Sequence, residues 1–463
     1  MIFRRNGLSI LVSVAAVAFL TAASSVTNDE DESDVRPPLE LAGLPESSAD
    51  ELLRYAESVP LESIPGGSWT NVPDDVQALA NTLWEGRPTG FGDVEWDAAK
   101  GTATVWWHGD MSAEVLASIN SLSTEAHPAS MTYSREELEA AASRLLEASD
   151  GTVETVAAKF DGAGLEVTIA DSQSYRRRGP TLDSMTPYPV EVVVGGEVTS
   201  AVDDRKYTPY APYAGGASII NGTGSGVACS SGWPVLIDVQ SSALPKSYGM
   251  AFASHCIANT SSSIWTTWPD PANSNARYFF GSASQSTYRS PAADAVILTN
   301  DPTRSGIDDP NKIYYPYIYV GPPSGASRYI VTASVAPVIG ANWCLSGAPS
   351  GTTCNNTINN TGLYVEYGNG LPTAGPLVRT VSSDGSANVG QGDSGGPAHR
   401  INSNGDPFAQ VAGIISGMQN GQPNICYLSN DGRLCSDTAL LSPYALVQNN
   451  IGIRAMTAYN YNE

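Results

Sequence analysis

The spacing of hydrophobic positions changes character near residue 206. Before it, Val76, Leu79, Ala80, Leu83 and Trp84 recur at helical intervals and predict an amphipathic helix. Ser134 and Glu137 form a capping box ahead of Leu138, Ala141, Ala142, Leu145 and Leu146, with Gly151 as a stop, and predict a second. Residues 94–107 and 160–169 alternate about Lys100-Gly101 and Asp161-Gly162, the pattern of hairpins. A helix-then-hairpin unit is therefore expected twice, closed by a last strand at residues 189–195. From Ile219 onward short apolar runs (235–239, 313–320, 329–335, 411–415) stand between Gly, Pro, Asn and Ser clusters. That pattern predicts an all-β part, with one terminal helix at residues 440–449.

Charge divides the chain at the same place. It carries 24 Lys and Arg against 47 Asp and Glu, a net −23. Residues 207–463 hold 10 basic and 13 acidic side chains, which leaves −20 on residues 1–206. Such asymmetry predicts two separately folding parts, the first a small α+β unit with its own core. Neither part is basic, which argues against a nucleic-acid partner.

The beginning of the chain suggests export. Arg4-Arg5 precede an uncharged run, residues 8–20, followed by Thr21-Ala22-Ala23-Ser24. A basic, then apolar, then small-residue order predicts a signal peptide over residues 1–24, with an uncleaved anchor as the rival reading. Residues 25–70 begin with the acidic run Thr-Asn-Asp-Glu-Asp-Glu-Ser-Asp and read as a linker and the start of the first part. Residues 71–206 complete it, and the join is expected between residues 196 and 212. Arg176-Arg177-Arg178 and Arg205-Lys206 are basic sites where processing could begin.

Candidate chemistry centres on Gly392-Asp393-Ser394-Gly395-Gly396-Pro397. Glycines on both sides of Ser394 permit positive φ and allow backbone N–H groups to converge. A hydroxyl nucleophile beside such donors is what acyl transfer requires. It also needs a base oriented by a carboxylate. The four histidines are His108, His127, His255 and His399. A nucleophile-elbow hydrolase needs its histidine downstream, but His399 follows too closely to admit an intervening acid. The order His255, Asp294, Ser394 satisfies the alternative.

With those residues in place, Ser254-His255-Cys256, Asp294-Ala295-Val296-Ile297-Leu298 and Gly392 to Pro397 resemble the three signature segments of chymotrypsin-like serine proteases. The likeness is greatest to the secreted bacterial type of streptogrisins and α-lytic protease. It covers roughly residues 207–463. It implies an all-β double six-stranded Greek-key barrel preceded by a small α+β pro-domain. Ser394 would attack, His255 would act as base then acid, and Asp294 would fix the imidazole. The N–H groups of Gly392 and Ser394 would form the oxyanion hole.

Gly413-Ile414-Ile415-Ser416-Gly417 resembles the family strand that pairs with extended substrate. Ser416 would then bond Asp294, and Ile415 and Gly417 would line the primary pocket. Asn388 would lie near the pocket floor, with Gln391 beside it; an uncharged floor argues against the Arg/Lys preference of trypsin-like members. Phe252 and Ser254 depart from the commoner family residues. So does Val389-Gly390-Gln391, which lacks the cysteine many relatives carry there.

All six cysteines fall after residue 228, and an even number in an exported chain suggests disulfides. Fifteen pairings are open on arithmetic alone. The resemblance implies Cys229–Cys256 and Cys344–Cys354, and Cys426–Cys435 then remains. No two cysteines have two-residue spacing and histidines are few, which argues against zinc. The resemblance further implies a secreted, monomeric, cofactor-free endopeptidase acting on proteins or peptides. Its own pro-region would serve as folding aid and inhibitor. A retained binding domain, a catalytically silent adhesion protein on a protease scaffold, and an esterase using the same site stand as alternatives.

Overall fold

The computed structural model describes residues 44–54, 56, 64, 72–149, 153–169, 185–195, 198–199, 211–222, 228–237, 247–258, 263–269, 276–284, 288–305, 313–325, 327–367, 372–401, 406–423, 426 and 433–461. The apolar run 8–20, the acidic run 27–34, Gly151 and both basic processing sites lie outside them. Among the described residues no helix is long and apolar enough to cross a membrane.

The chain is mostly β. The strand Gly351–Val365 pairs on one side with Asn342–Gly347 and on the other with Ala374–Ser382. From those neighbours the pairings continue through Pro397–Ile401, Phe408–Gln419 and Thr438–Pro443, so six antiparallel strands close into a ring. A nine-stranded sheet carries the earlier part, including Ser247–Ala253 and Ala295–Thr299. Many of these strands are buried on both faces, as in Pro234–Ile237, Ala295–Thr299 and Thr438–Pro443. The final helix runs Tyr444–Ile451 rather than 440–449. Residues 438–443 are instead the last strand of the ring, and Pro443, at the N-cap, marks the change.

The first part follows the predicted helix–hairpin order. The helix Asp74–Gly86 precedes the hairpin of Phe91–Asp97 and Thr102–Trp107. The helix Arg135–Glu147, with its Ser134–Glu137 capping box, precedes the hairpin of Thr155–Ala158 and Leu165–Ile169. A helix at Ala113–Asn120 and a parallel strand at Glu125–Ser130 intervene.

The first helix–hairpin unit shares its core with the ring, whereas Leu138, Ala141, Leu145, Val156, Leu165 and Val167 of the second form a cluster of their own. Val76, Leu79, Trp84, Val94 and Val105 pack in one cluster with Val335, Val338, Ile339, Trp343, Ile415 and Met418. Thr155–Ala158 adds antiparallel to Gly351–Val365, so the first part extends the ring's own sheet. The helix Glu46–Leu53, in a stretch read as linker, also docks: Leu52 is buried, and its carbonyl accepts from the Tyr317 hydroxyl at 3.0 Å.

At this seam Arg135 is buried against the Trp84 ring. It donates to Asp93 at 3.1 Å, to the Thr361 carbonyl at 2.8 Å and to Glu139 at 2.6 Å. Burial pushes the Asp93 carboxyl up to about 6, although Arg135 and the Thr361 hydroxyl both pull it down. A native carboxyl that holds its proton to higher pH than the unfolded one favours the folded state most at low pH. That contribution is lost as pH rises from about 4 to about 6. Relative to wild type, the full chain carrying Asp93→Asn should therefore gain on the order of 2–3 kcal/mol between pH 4 and 7. Denaturant midpoints across that range check it; a constant offset would show that Asp93 does not titrate there.

Candidate active site

Two adjacent strands bring His255 and Asp294 together. Ser247–Ala253 and Ala295–Thr299 run antiparallel with Ala253 opposite Ala295, so the residues at their ends, Ser254-His255 and Asp294, emerge side by side. Met250 to Ala253 and Ala295 to Leu298 are all buried, so both faces of this strand pair are covered. Asp294 adopts φ 41°, a left-handed conformation that Asp and Asn tolerate better than most residues. Its backbone is tied on both sides, by the Ser254 N–H at 3.1 Å and the Pro291 carbonyl at 2.9 Å.

Four donors converge on the Asp294 carboxylate. Oδ1 accepts from the His255 backbone N–H at 2.8 Å and the Ser254 hydroxyl at 3.0 Å. Oδ2 accepts from the Ser416 hydroxyl at 2.5 Å and lies 2.7 Å from His255 Nδ1. Asp294 is only 2 % exposed and His255 8 %. A buried carboxylate facing an imidazole nitrogen requires that nitrogen to carry the proton, which leaves Nε2 as the acceptor.

Ser394, fully buried, lies in a turn bonded on one side to Ser230 and on the other to Ile415, the neighbour of Ser416. The Ser230 N–H donates to the Ser394 carbonyl at 2.8 Å, and the Ser230 hydroxyl to that of Gly392 at 2.7 Å. Ser230 follows Cys229, which is disulfide-bonded to Cys256, the residue after His255. On the other side Gly395 N–H donates to Ile415 O at 2.7 Å and Ile415 N–H to Gly396 O at 2.8 Å, adjacent to Ser416. Gly392 and Gly395 have φ of 96° and 89°. A Cβ on Gly395 would sit 2.3 Å from the Ser230 carbonyl, so only glycine permits this approach.

Asp393 is bonded to Gly390 and to the segment that carries Ser350. Its buried carboxylate accepts from the Ser350 hydroxyl at 2.5 Å and the Gly390 N–H at 2.7 Å. Burial raises its pKa, and the charge of Arg433 opposes that rise.

The remaining expected site residues divide. Ile415 and Ser416 lie on Phe408–Gln419 beside the turn, and Gly417 faces Leu440 across the ladder. The amide of Asn388 donates inward to Asn356 and Ser382, each at 3.1 Å, and the Gln391 side-chain oxygen accepts from the Leu434 N–H. The disulfides are Cys229–Cys256, Cys344–Cys354 and Cys426–Cys435. His399 is buried opposite Cys344 on the ladder.

Tyr367 was not legible as a site residue. Its hydroxyl is 2.5 Å from Ser416 Oγ and its ring is 5.4 Å from that of His255. Because Ser416 donates to Asp294, Tyr367 donates to Ser416. Burial and the Asp294 charge hold the phenol far above its usual range. Val198–Thr199 of the first part runs antiparallel to Met418–Gln419, two residues past Ser416.

No family model and no curated protein matches the chain. Among solved structures it is similar to a glutamic-acid-specific serine protease that uses a histidine triad in substrate binding. That match has 18 % identity, covers 52 % of this chain and 100 % of the other, and has a TM-score of 0.36. It is also similar to protease A of Thermobifida fusca, at 21 % identity, 53 % and 98 % coverage and a TM-score of 0.34.

Proposed function

We propose that the chain is a secreted serine endopeptidase made as a zymogen, its catalytic part a pair of β-barrels sharing a cleft. The observation that carries this reading is the grip of four donors on Asp294, one of them His255 Nδ1, with the glycine-bounded turn of Ser394 bonded alongside. In this reading Nε2 of His255 takes the Ser394 hydroxyl proton as Oγ bonds to the scissile carbonyl carbon. The carbonyl oxygen gains the charge and is met by the N–H groups of Gly392 and Ser394. The intermediate collapses, His255 returns the proton to the leaving amine, and water repeats the sequence on the acyl-enzyme.

The pro-region reading draws on its shared core and on two strands that extend the catalytic sheet, one of them beside Ser416. A barrel of distant strands forms slowly, because closure entropy precedes contact. A prefolded partner that pairs with those strands lowers that cost and covers the substrate edge until removed.

A fluorophosphonate probe tests the reading on the secreted product. Wild type should label at Ser394 and hydrolyse peptides, and N-terminal sequencing should place the mature start between residues 196 and 212. Absent labelling on the mature species would favour a silent scaffold. Ester turnover without peptide turnover would favour an esterase.

A further inference from the structure

We propose that Arg433 is a positioning residue for the oxyanion turn: it locks the Gln391–Gly392 peptide so that the Gly392 N–H faces the reacting carbonyl. The inference rests on the serine-protease reading of Ser394. Leu434–Ser436 pairs with Val389–Gly390, placing Cys435 opposite Gly390. The Cys426–Cys435 disulfide joins residues on either side of Arg433 in the sequence. The Gln391 N–H donates to the Leu434 carbonyl at 2.9 Å, so the two segments are bonded on either side of Arg433's reach.

Arg433 is 4 % exposed. Its Nη1 donates to the Gln391 carbonyl at 2.5 Å, and its Nη2 to Ser350 Oγ at 3.3 Å. Ser350 in turn donates to Asp393. One guanidinium thus spans the carbonyl just before Gly392 and, through Ser350, the carboxylate just after it.

The peptide unit explains why this matters. In a planar trans peptide the C=O and the following N–H point in opposite directions. Fixing the Gln391 oxygen on the Arg433 side turns the Gly392 N–H to the other side. Gly392, at φ 96°, has no side chain to resist a flip of that unit. A flip would replace a donor in the hole with an acceptor. Against it stands a charge-assisted bond, roughly twice as strong as a neutral one. Arg433 therefore supplies from outside the turn the restraint that glycine cannot supply within it.

The test uses the full secreted chain with Arg433→Met and Arg433→Lys. Arg433→Met should lower kcat on a peptide amide by about 10²-fold, the cost of one oxyanion donor, with KM within about threefold. Affinity for a peptide aldehyde, which forms the tetrahedral adduct, should fall with kcat. Affinity for the matching peptide alcohol, which has no carbonyl to form one, should hold. Arg433→Lys should recover part of the loss, since an ammonium bonds the carbonyl without spanning both partners. Equal losses of aldehyde and alcohol affinity, or an unchanged kcat, would overturn the role. Should Arg433→Met fail to be secreted, the aldehyde-to-alcohol ratio of Arg433→Lys decides alone. A wild type that neither labels nor hydrolyses would instead sink the protease reading.

Discussion

Ser394→Ala should lower peptide turnover by on the order of 10⁶-fold and leave the chain folded. Ser394 sits in a turn held by backbone bonds to Ser230 and Ile415, which the loss of one hydroxyl leaves in place. The loss is chemical: without Oγ no acyl-enzyme forms and His255 has no proton to accept. Because the two residues act as one unit, the double variant Ser394→Ala with His255→Ala should be no slower than either alone. Fluorophosphonate labelling should vanish while the thermal midpoint stays within a few degrees. If Ser394→Ala kept more than about one part in a hundred of wild-type turnover, the nucleophile would lie elsewhere. The same variant reports on maturation. Accumulation of uncut precursor would mean self-cleavage, and normal trimming would mean a second protease.

The candidate residues Ser394, His255 and Asp294 were legible because the chemistry proposed for them restricts residue type, order and immediate neighbours. Nothing comparable marks Tyr367, a lone tyrosine between Glu366 and Gly368, whose importance comes from a fold that sets it against Ser416 and His255. Ser254 reads from sequence as a departure; in space its hydroxyl is one of the four donors on Asp294. Arg433 was hidden for a related reason: nothing in its Gly-Arg-Leu-Cys stretch shows that it is buried beside the strand Leu434–Ser436 and bonded to Gln391.

Periodicity was a good guide to elements and a poor guide to partners. The apolar face of Asp74–Gly86 was evident, yet an amphipathic pattern states only that a face is buried, not against what. Its partner proved to include Val335, Val338 and Trp343, far along the chain. The pairing of Thr155–Ala158 with Gly351–Val365 is likewise non-local, and alternation specifies a strand's faces but leaves its edges unassigned. The separate folding expected from net charge therefore stands against a continuous sheet and a partly common core.

Asp294→Asn should lower kcat by on the order of 10⁴-fold with KM little changed. The reason lies in which donors can adapt. Asn tolerates the φ of 41° as Asp does, so the backbone should hold. The His255 backbone N–H at Oδ1 cannot become an acceptor, so the Asn carbonyl oxygen must occupy that position. The amide NH₂ is then forced into the place of Oδ2, facing Ser416 Oγ and His255 Nδ1. Ser416 can rotate its hydroxyl to accept. His255 can accept only by losing the proton on Nδ1, which moves it to Nε2, the atom that must take the proton of Ser394. The base is thereby present, in position and in the wrong tautomer. Nitrogen NMR of the imidazole should report protonated Nδ1 in wild type and protonated Nε2 in the variant. A variant retaining kcat within tenfold, or the wild-type tautomer, would show that Asp294 does not set the state of His255.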